Sequence, residues 1–232
     1  EDGHELQFGV NHLGHFALSA LLSAQVEAGS IGNGGGRFVT VSSLAHRSAR
    51  PLDFDNINLD GYYSPRQAYA ASKLANLVFA VELQRRLERA GARATSHACH
   101  PGVADTNIAI TGPSRAMSLA MMPLLTIFSQ TAAKGARPSV LAAAGDEAEP
   151  IGAQRGYYGP TGWMNIAGRV DRAQIAREAL DEEAGRRLWA MSEAMAQVSW
   201  PIFQSAPAAP TAETGPAGTH TADTGPAESP AP

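Results

Sequence analysis

Apolar residues near the start of the chain recur at Leu6, Val10, Leu13, Phe16, Ala17, Ala20 and Leu21, a three-and-four spacing that predicts a helix buried along one broad face. The pattern stops at Gly29-Ser30-Ile31-Gly32-Asn33-Gly34-Gly35-Gly36, which predicts a flexible turn. Arg37 to Ser43 then gathers Val39, Thr40 and Val41 into a short strand whose carboxyl end is Ser43. A loop with Pro51, Asp53, Asp55, Asn58 and Gly61 leads to a long helix from about Pro65 to Ala90. Its apolar positions are Leu74, Leu77, Val78, Val81 and Leu83, and Gly91 is placed to cap its end. Arg93 to His100 reads as a second strand, closed by Pro101-Gly102. Strand, long helix and strand in that order predict a βαβ unit with parallel strands.

The rest of the chain is less regular. Residues 113 to 145, rich in Ala, Met and Leu, suit a helix or a mobile segment. Within them, Met117, Met121 and Met122 suit either core packing or a lid over a lipophilic substrate. Arg155 to Gly162 predicts a strand around Tyr157-Tyr158, and Ala173 to Val198 an amphipathic helix with Leu180, Leu188, Met191 and Met195 on its apolar side. Beyond Gln204 the near-repeat Thr211 to Ala217 and Thr221 to Ala227, with frequent proline, predicts a disordered tail over 205–232. Residues 1–204 are left as one folded unit.

Composition narrows the function. With 44% hydrophobic and 17% charged residues among 232, the chain can bury a real core, and a formal net charge of -4 offers no basic field for nucleic acid or anionic lipid. The lone Cys99 excludes an internal disulfide and suits a reducing, cytoplasmic setting. The longest apolar run, Met117 to Phe128, is about 12 residues with Pro123 inside it, short of the roughly 20 that span a bilayer. No transmembrane segment is therefore expected, and small-molecule chemistry is the favoured class.

Tyr69 and Lys73 stand four apart on the predicted helix, so their side chains share a face. A free phenol ionises near pH 10, and an ammonium close by favours the ionised form; the pairing thus suits general acid/base chemistry. By itself the spacing is common and says little, but its context does not. Asn11-His12-Leu13-Gly14-His15-Phe16 lies in the opening helix and Val41-Ser42-Ser43 ends a strand. Tyr69-Ala70-Ala71-Ser72-Lys73 opens the next helix, and Pro101-Gly102-Val103-Ala104-Asp105-Thr106 follows the next strand.

In that order these motifs resemble the short-chain dehydrogenase/reductase family. The 26-residue step from Ser43 to Tyr69 and the Asp53-Phe54-Asp55 insert look like its retinol-dehydrogenase-like and WW-domain-oxidoreductase-like branch. Gln130 to Ala136 and Tyr157 to Pro160 also match. The resemblance implies the C-terminal part of a doubly wound, Rossmann-type α/β parallel sheet flanked by helices. It further implies NAD(P)-dependent alcohol oxidation or carbonyl reduction on a small lipophilic alcohol, aldehyde or ketone. Carried over by position, Tyr69 is the proton donor and acceptor, Lys73 its partner and a ligand of the nicotinamide ribose, and Ser43 the hydroxyl that polarises the substrate oxygen. Asn11 supports a water relay to the lysine, and Pro101, Gly102, Val103 and Thr106 hold the nicotinamide end of NAD or NADP. The family motif selects Ser43 over Ser42, and neighbours on a strand face opposite ways.

The family's opening Thr-Gly-x-x-x-Gly-x-Gly fingerprint is absent from the sequence. The expectation is a chain without the N-terminal cofactor-binding third, hence without the adenosine half of the site and with an unpaired, apolar edge on the Arg37 to Ser43 strand. That absence also motivates an alternative, a truncated remnant or interaction module without cofactor binding. Resemblance makes a homodimer through the two long helices an expectation.

Other signals point to structure. Gly32 to Gly36 follows a helix and precedes a strand, the reverse of a phosphate loop. His12 and His15 have no further metal ligand at suitable spacing, so no metal is expected. Asp53 to Asp60 begins like a calcium loop, but Ile57 takes a ligand position and no closing glutamate follows. Cys99 and His100 point to opposite faces of their strand.

Overall fold

The computed structural model describes residues 2–30, 35–102, 131–152 and 155–204. Val103, Thr106, the three methionines and the 205–232 tail lie outside the described residues.

The opening helix α1 runs through Leu6–Phe8, a π-helical turn at Gly9–Leu13, and Gly14–Leu21, with α2 following at Ser23–Ala28. The π turn is closed by the Gly14 amide on the Gly9 carbonyl, and its extra residue per turn shifts the phase of the helix. Phe8 and His12 consequently face the core together with Leu13, Phe16 and Ala20, while Leu6, Val10 and Leu21 point outward. An unbroken 3.6-residue period had placed Leu6, Val10 and Leu21 inside.

β1 (Arg37–Val41) is followed by a 3-10 turn at Leu44–Ser48, then by α3 (Pro65–Arg89) and β2 (Thr95–Cys99). Ser64 caps α3 by accepting the Gln67 amide, and Pro65 takes a first-turn position whose N–H needs no partner. At the far end Gly91, at φ +64, lets the Ala92 amide return to the Leu87 carbonyl and stop the helix. Next come α4 (Ala132–Ala144), β3 (Tyr157–Pro160), β4 (Val170–Arg172), α5 (Glu182–Ala196) and α6 (Pro201–Gln204). The expected helix from Ala173 to Val198 is therefore shorter. Arg177–Leu180 forms a separate 3-10 turn, and Asp181 starts α5 by accepting the Glu183 and Ala184 amides.

The sheet runs β1-β2-β3-β4, parallel except for the antiparallel β3–β4 pair, and helices flank it in the manner of a Rossmann-type α/β fold. Among the described residues β1 pairs only with β2, and Val41 on its open edge is 42% exposed. α3 packs against both strands of the βαβ unit, α1 and α5. It is consequently buried well beyond one stripe, with Ala70, Ala75, Leu77, Ala80 and Leu83 all enclosed. Even Glu82 is buried; its carboxylate takes the Arg86 Nε at 2.8 Å, while the Arg86 guanidinium lies 4.2 Å from the Trp189 ring on α5. Phe16, Phe79, Trp189 and Trp200 close the core behind α3, with Phe16 5.1 Å from Trp189 and Trp189 4.7 Å from Trp200. Such ring pairs add about 0.5–1.5 kcal/mol each beyond their buried area.

Candidate active site

The end of β1 and the first turns of α3 are joined by side chains on three levels. Deepest is Ser42, buried, whose hydroxyl donates to the Lys73 carbonyl at 2.7 Å and whose amide bonds Cys99 on β2. Ser42 thus ties α3 to the sheet. Ser43 turns the other way and is half-buried. Its backbone is still extended, at φ -153 and ψ 157, and its Oγ accepts the Ala45 amide at 3.2 Å as it caps the 3-10 turn. That bond uses a lone pair and leaves the hydroxyl proton free to be donated.

Lys73 lies one turn beyond Tyr69 on α3. Its ammonium is 5.8 Å from the centre of the Tyr69 ring and donates to the Val41 carbonyl at 3.3 Å. Asn76 donates to the same carbonyl at 3.1 Å. These two side chains satisfy a backbone acceptor on the open edge of β1. Burial, which disfavours the ammonium, pulls the Lys73 pKa below the ordinary lysine range, partly opposed by Cys99 nearby.

Asn11 reaches the same region from the π turn of α1. Its amide donates to Ser72 Oγ at 3.0 Å, and Ser72 in turn donates to the Tyr69 carbonyl at 2.9 Å. Asn11 therefore braces the turn that carries Tyr69, and it lines, with His15, Val39, Val41, Lys73 and Asn76, a cleft of about 160 Å³. Beyond β2, Gly102 at φ +74 sends its amide back to His100 Nδ1 at 3.2 Å. Pro101 and Gly102 are half-buried where β2 leaves the sheet.

Beneath Ser42 and Ser43 are two residues that the sequence did not single out as candidate site residues. Tyr157, on β3, is fully buried; burial raises its phenol pKa, opposed by the Ser42 hydroxyl. His46 is buried against it, with ring centres 5.7 Å apart. The sequence marks Tyr157 only as part of a strand, and the sheet carries it beneath Ser42. His46, three residues after Ser43, stands at the spacing of a turn.

His12 is buried against Ser192 Oγ at 2.8 Å, and burial lowers its pKa to about 4, while His15 sits outside on the Val10 carbonyl. No group of three metal-ligating side chains occurs among the described residues. Asp53 accepts the amides of Asp55 and Asn56 in a local turn. Cys99 Sγ meets Ser139 Oγ at 3.3 Å on one face of β2, whereas the His100 ring lies 5.3 Å from that of Tyr157.

No family model matches the chain. Human retinol dehydrogenase 14 is 35% identical over 199 residues, covering 84% of this chain and 53% of its own length. Human retinol dehydrogenase 13 is 37% identical over 212 residues, covering 89% and 58%. Human polyprenol dehydrogenase is 40% identical over 158 residues, covering 68% and 46%. The chain thus spans about half the length of the curated relatives it matches. A crystal structure of an uncharacterised protein from Mycobacterium paratuberculosis aligns with a TM-score of 0.63 at 35% identity, covering 86% of this chain and 62% of that one.

Proposed function

We propose, on the premise that this chain belongs to the short-chain dehydrogenase/reductase family, that it carries the catalytic portion of an NAD(P)-dependent alcohol dehydrogenase or carbonyl reductase. The observation that carries the proposal is Tyr69 and Lys73 on one face of α3, bound to the end of β1 through Ser42 where Ser43 emerges. The relatives are named for retinol and polyprenol, both lipophilic alcohols, and the corresponding substrate class here is a small lipophilic alcohol, aldehyde or ketone.

The donors present fit the nicotinamide end of such a cofactor. The Lys73 ammonium and the Tyr69 phenol suit ribose hydroxyls, and the Pro101-Gly102 turn offers backbone without a bulky side chain. NAD or NADP, when bound, supplies hydride transfer. The protein's own residues handle the proton. Tyr69 donates it to the substrate oxygen in reduction and removes it in oxidation. Ser43 donates its free hydroxyl proton to the same oxygen and polarises it. Lys73 provides the positive charge beside the phenol. Its four-carbon stem lets the ammonium swing from the Val41 carbonyl towards the tyrosine face, and Asn76 keeps that carbonyl satisfied.

The test is oxidation of reduced nicotinamide cofactor driven by retinal, using the chain in its natural full-length reading frame, wild type against Tyr69→Phe. The substitution should lower kcat by about 10²–10⁴-fold, the range for a lost general acid/base. Equal rates would remove Tyr69 from the chemistry.

A further inference from the structure

We infer that His46 is a positioning residue for Ser43, acting through the Ser43 carbonyl; this rests on the role proposed above for the Ser43 hydroxyl. Two donors from His46 converge on that carbonyl, the backbone amide at 3.1 Å and the imidazole Nδ1 at 2.5 Å. The carbonyl belongs to the residue at which extended strand passes into the 3-10 turn, so holding it holds the direction from which Ser43 Oγ leaves the backbone.

The hydrogen bond specifies the imidazole's state. A carbonyl accepts, so Nδ1 carries the proton, and Nε2 is a bare lone pair buried without a partner. Such an arrangement suits the neutral ring, which burial favours. Tyr157 supports it from below, its hydroxyl 3.4 Å from His46 Nδ1 and in contact with Ser42, whose own proton is on the Lys73 carbonyl. Ser43, His46, Tyr157, Ser42 and Lys73 thus form one circuit, buried at His46, Tyr157 and Ser42, that joins the strand end, the turn and α3. A histidine that merely filled space would need its volume but not a donor at Nδ1.

That difference sets the test. Imidazole nitrogen NMR of the 232-residue chain should show His46 protonated at Nδ1 at neutral pH; protonation at Nε2 would overturn the proposal. Three variants then separate donor from volume. His46→Asn keeps an amide donor close to the Nδ1 position, His46→Gln moves it outward to the Nε2 position, and His46→Leu keeps bulk alone. The Ser43 carbonyl carbon shift should remain near wild type in the first and move in the other two. In the full-length frame, His46→Asn should keep kcat within about threefold. His46→Gln and His46→Leu should lose about 10–100-fold in kcat with little change in KM, the scale expected when a reacting group is displaced by about an ångström. Three variants that all match wild type, or all fall alike, would overturn the positioning role. Ser43→Ala run alongside separates the two levels: undiminished turnover there removes the hydroxyl role for Ser43, while the tautomer and carbonyl shift still decide the His46 bond.

Discussion

Acidification tests how the core is built, because it attacks a group that the packing keeps neutral. His12 is 1% exposed among Phe8, Phe16 and Phe79, with Nε2 on Ser192 Oγ at 2.8 Å. Ser192 donates its own proton to the Leu188 carbonyl at 2.7 Å, so the imidazole is the donor in that pair. Burial lowers the His12 pKa from 6.5 to about 4. The unfolded chain therefore binds the proton that the folded chain refuses between those two values, and stability falls as the pH drops through that window. Above pH 6.5 the contribution is complete. Each pH unit inside the window costs about 1.4 kcal/mol, so moving from pH 7.5 to pH 5 removes about 2 kcal/mol through His12 alone, against roughly 5–15 kcal/mol for a whole domain.

The matched perturbation is His12→Gln, which can retain a donor to Ser192 but cannot titrate. Urea unfolding, followed by the fluorescence of Trp189 and Trp200 in the same cluster, is measured for both proteins at pH 7.5, 6 and 5. His97 and His100, also lowered to about 4 by burial, titrate in both proteins and cancel in the comparison. The variant should lose about 2 kcal/mol less than wild type between pH 7.5 and pH 5, whatever its stability at the start. A gap between the two proteins that stays constant across this range would refute the buried neutral histidine.

Two further substitutions probe the frame of the site. Ser42→Ala leaves the Lys73 carbonyl and the Tyr157 hydroxyl short of a buried partner and should lower stability by about 1–3 kcal/mol in urea titration, whereas Ser43→Ala should act chiefly on kcat. Gly159→Ala would place a Cβ 1.9 Å from His100 Nε2 within β3, a clash that should cost about 1–3 kcal/mol or more in thermal melts; an unchanged midpoint would show that the strand and ring separate freely.

Much of this protein is determined by local sequence alone. β-branched residues mark β1, glycine and proline bound β2 and β3, and the long helix predicted from Pro65 to the Gly91 cap matches α3 to within a residue. The four-residue step from Tyr69 to Lys73 places both on one helical face, and adjacency places Ser42 and Ser43 on opposite sides. These features are legible because each depends on a backbone period or a cap a few residues long. Tertiary structure alone decided the rest. The π turn rotates α1, so that Phe8 and His12 rather than Leu6 and Val10 meet the core. α3 loses its single apolar stripe because sheet and helices enclose it, and Glu82 is carried inside by Arg86 and Trp189. β4 pairs with the edge that β3 offers, and the 3-10 turn at Arg177–Leu180 delays the C-terminal helix until the Asp181 cap. Tyr157 comes under Ser42 through a strand more than a hundred residues away, and Lys73 rests on the Val41 carbonyl because that strand edge presents an acceptor. Partners so distant leave no period in the chain, and their positions follow from where buried polar groups find the donors and acceptors they require.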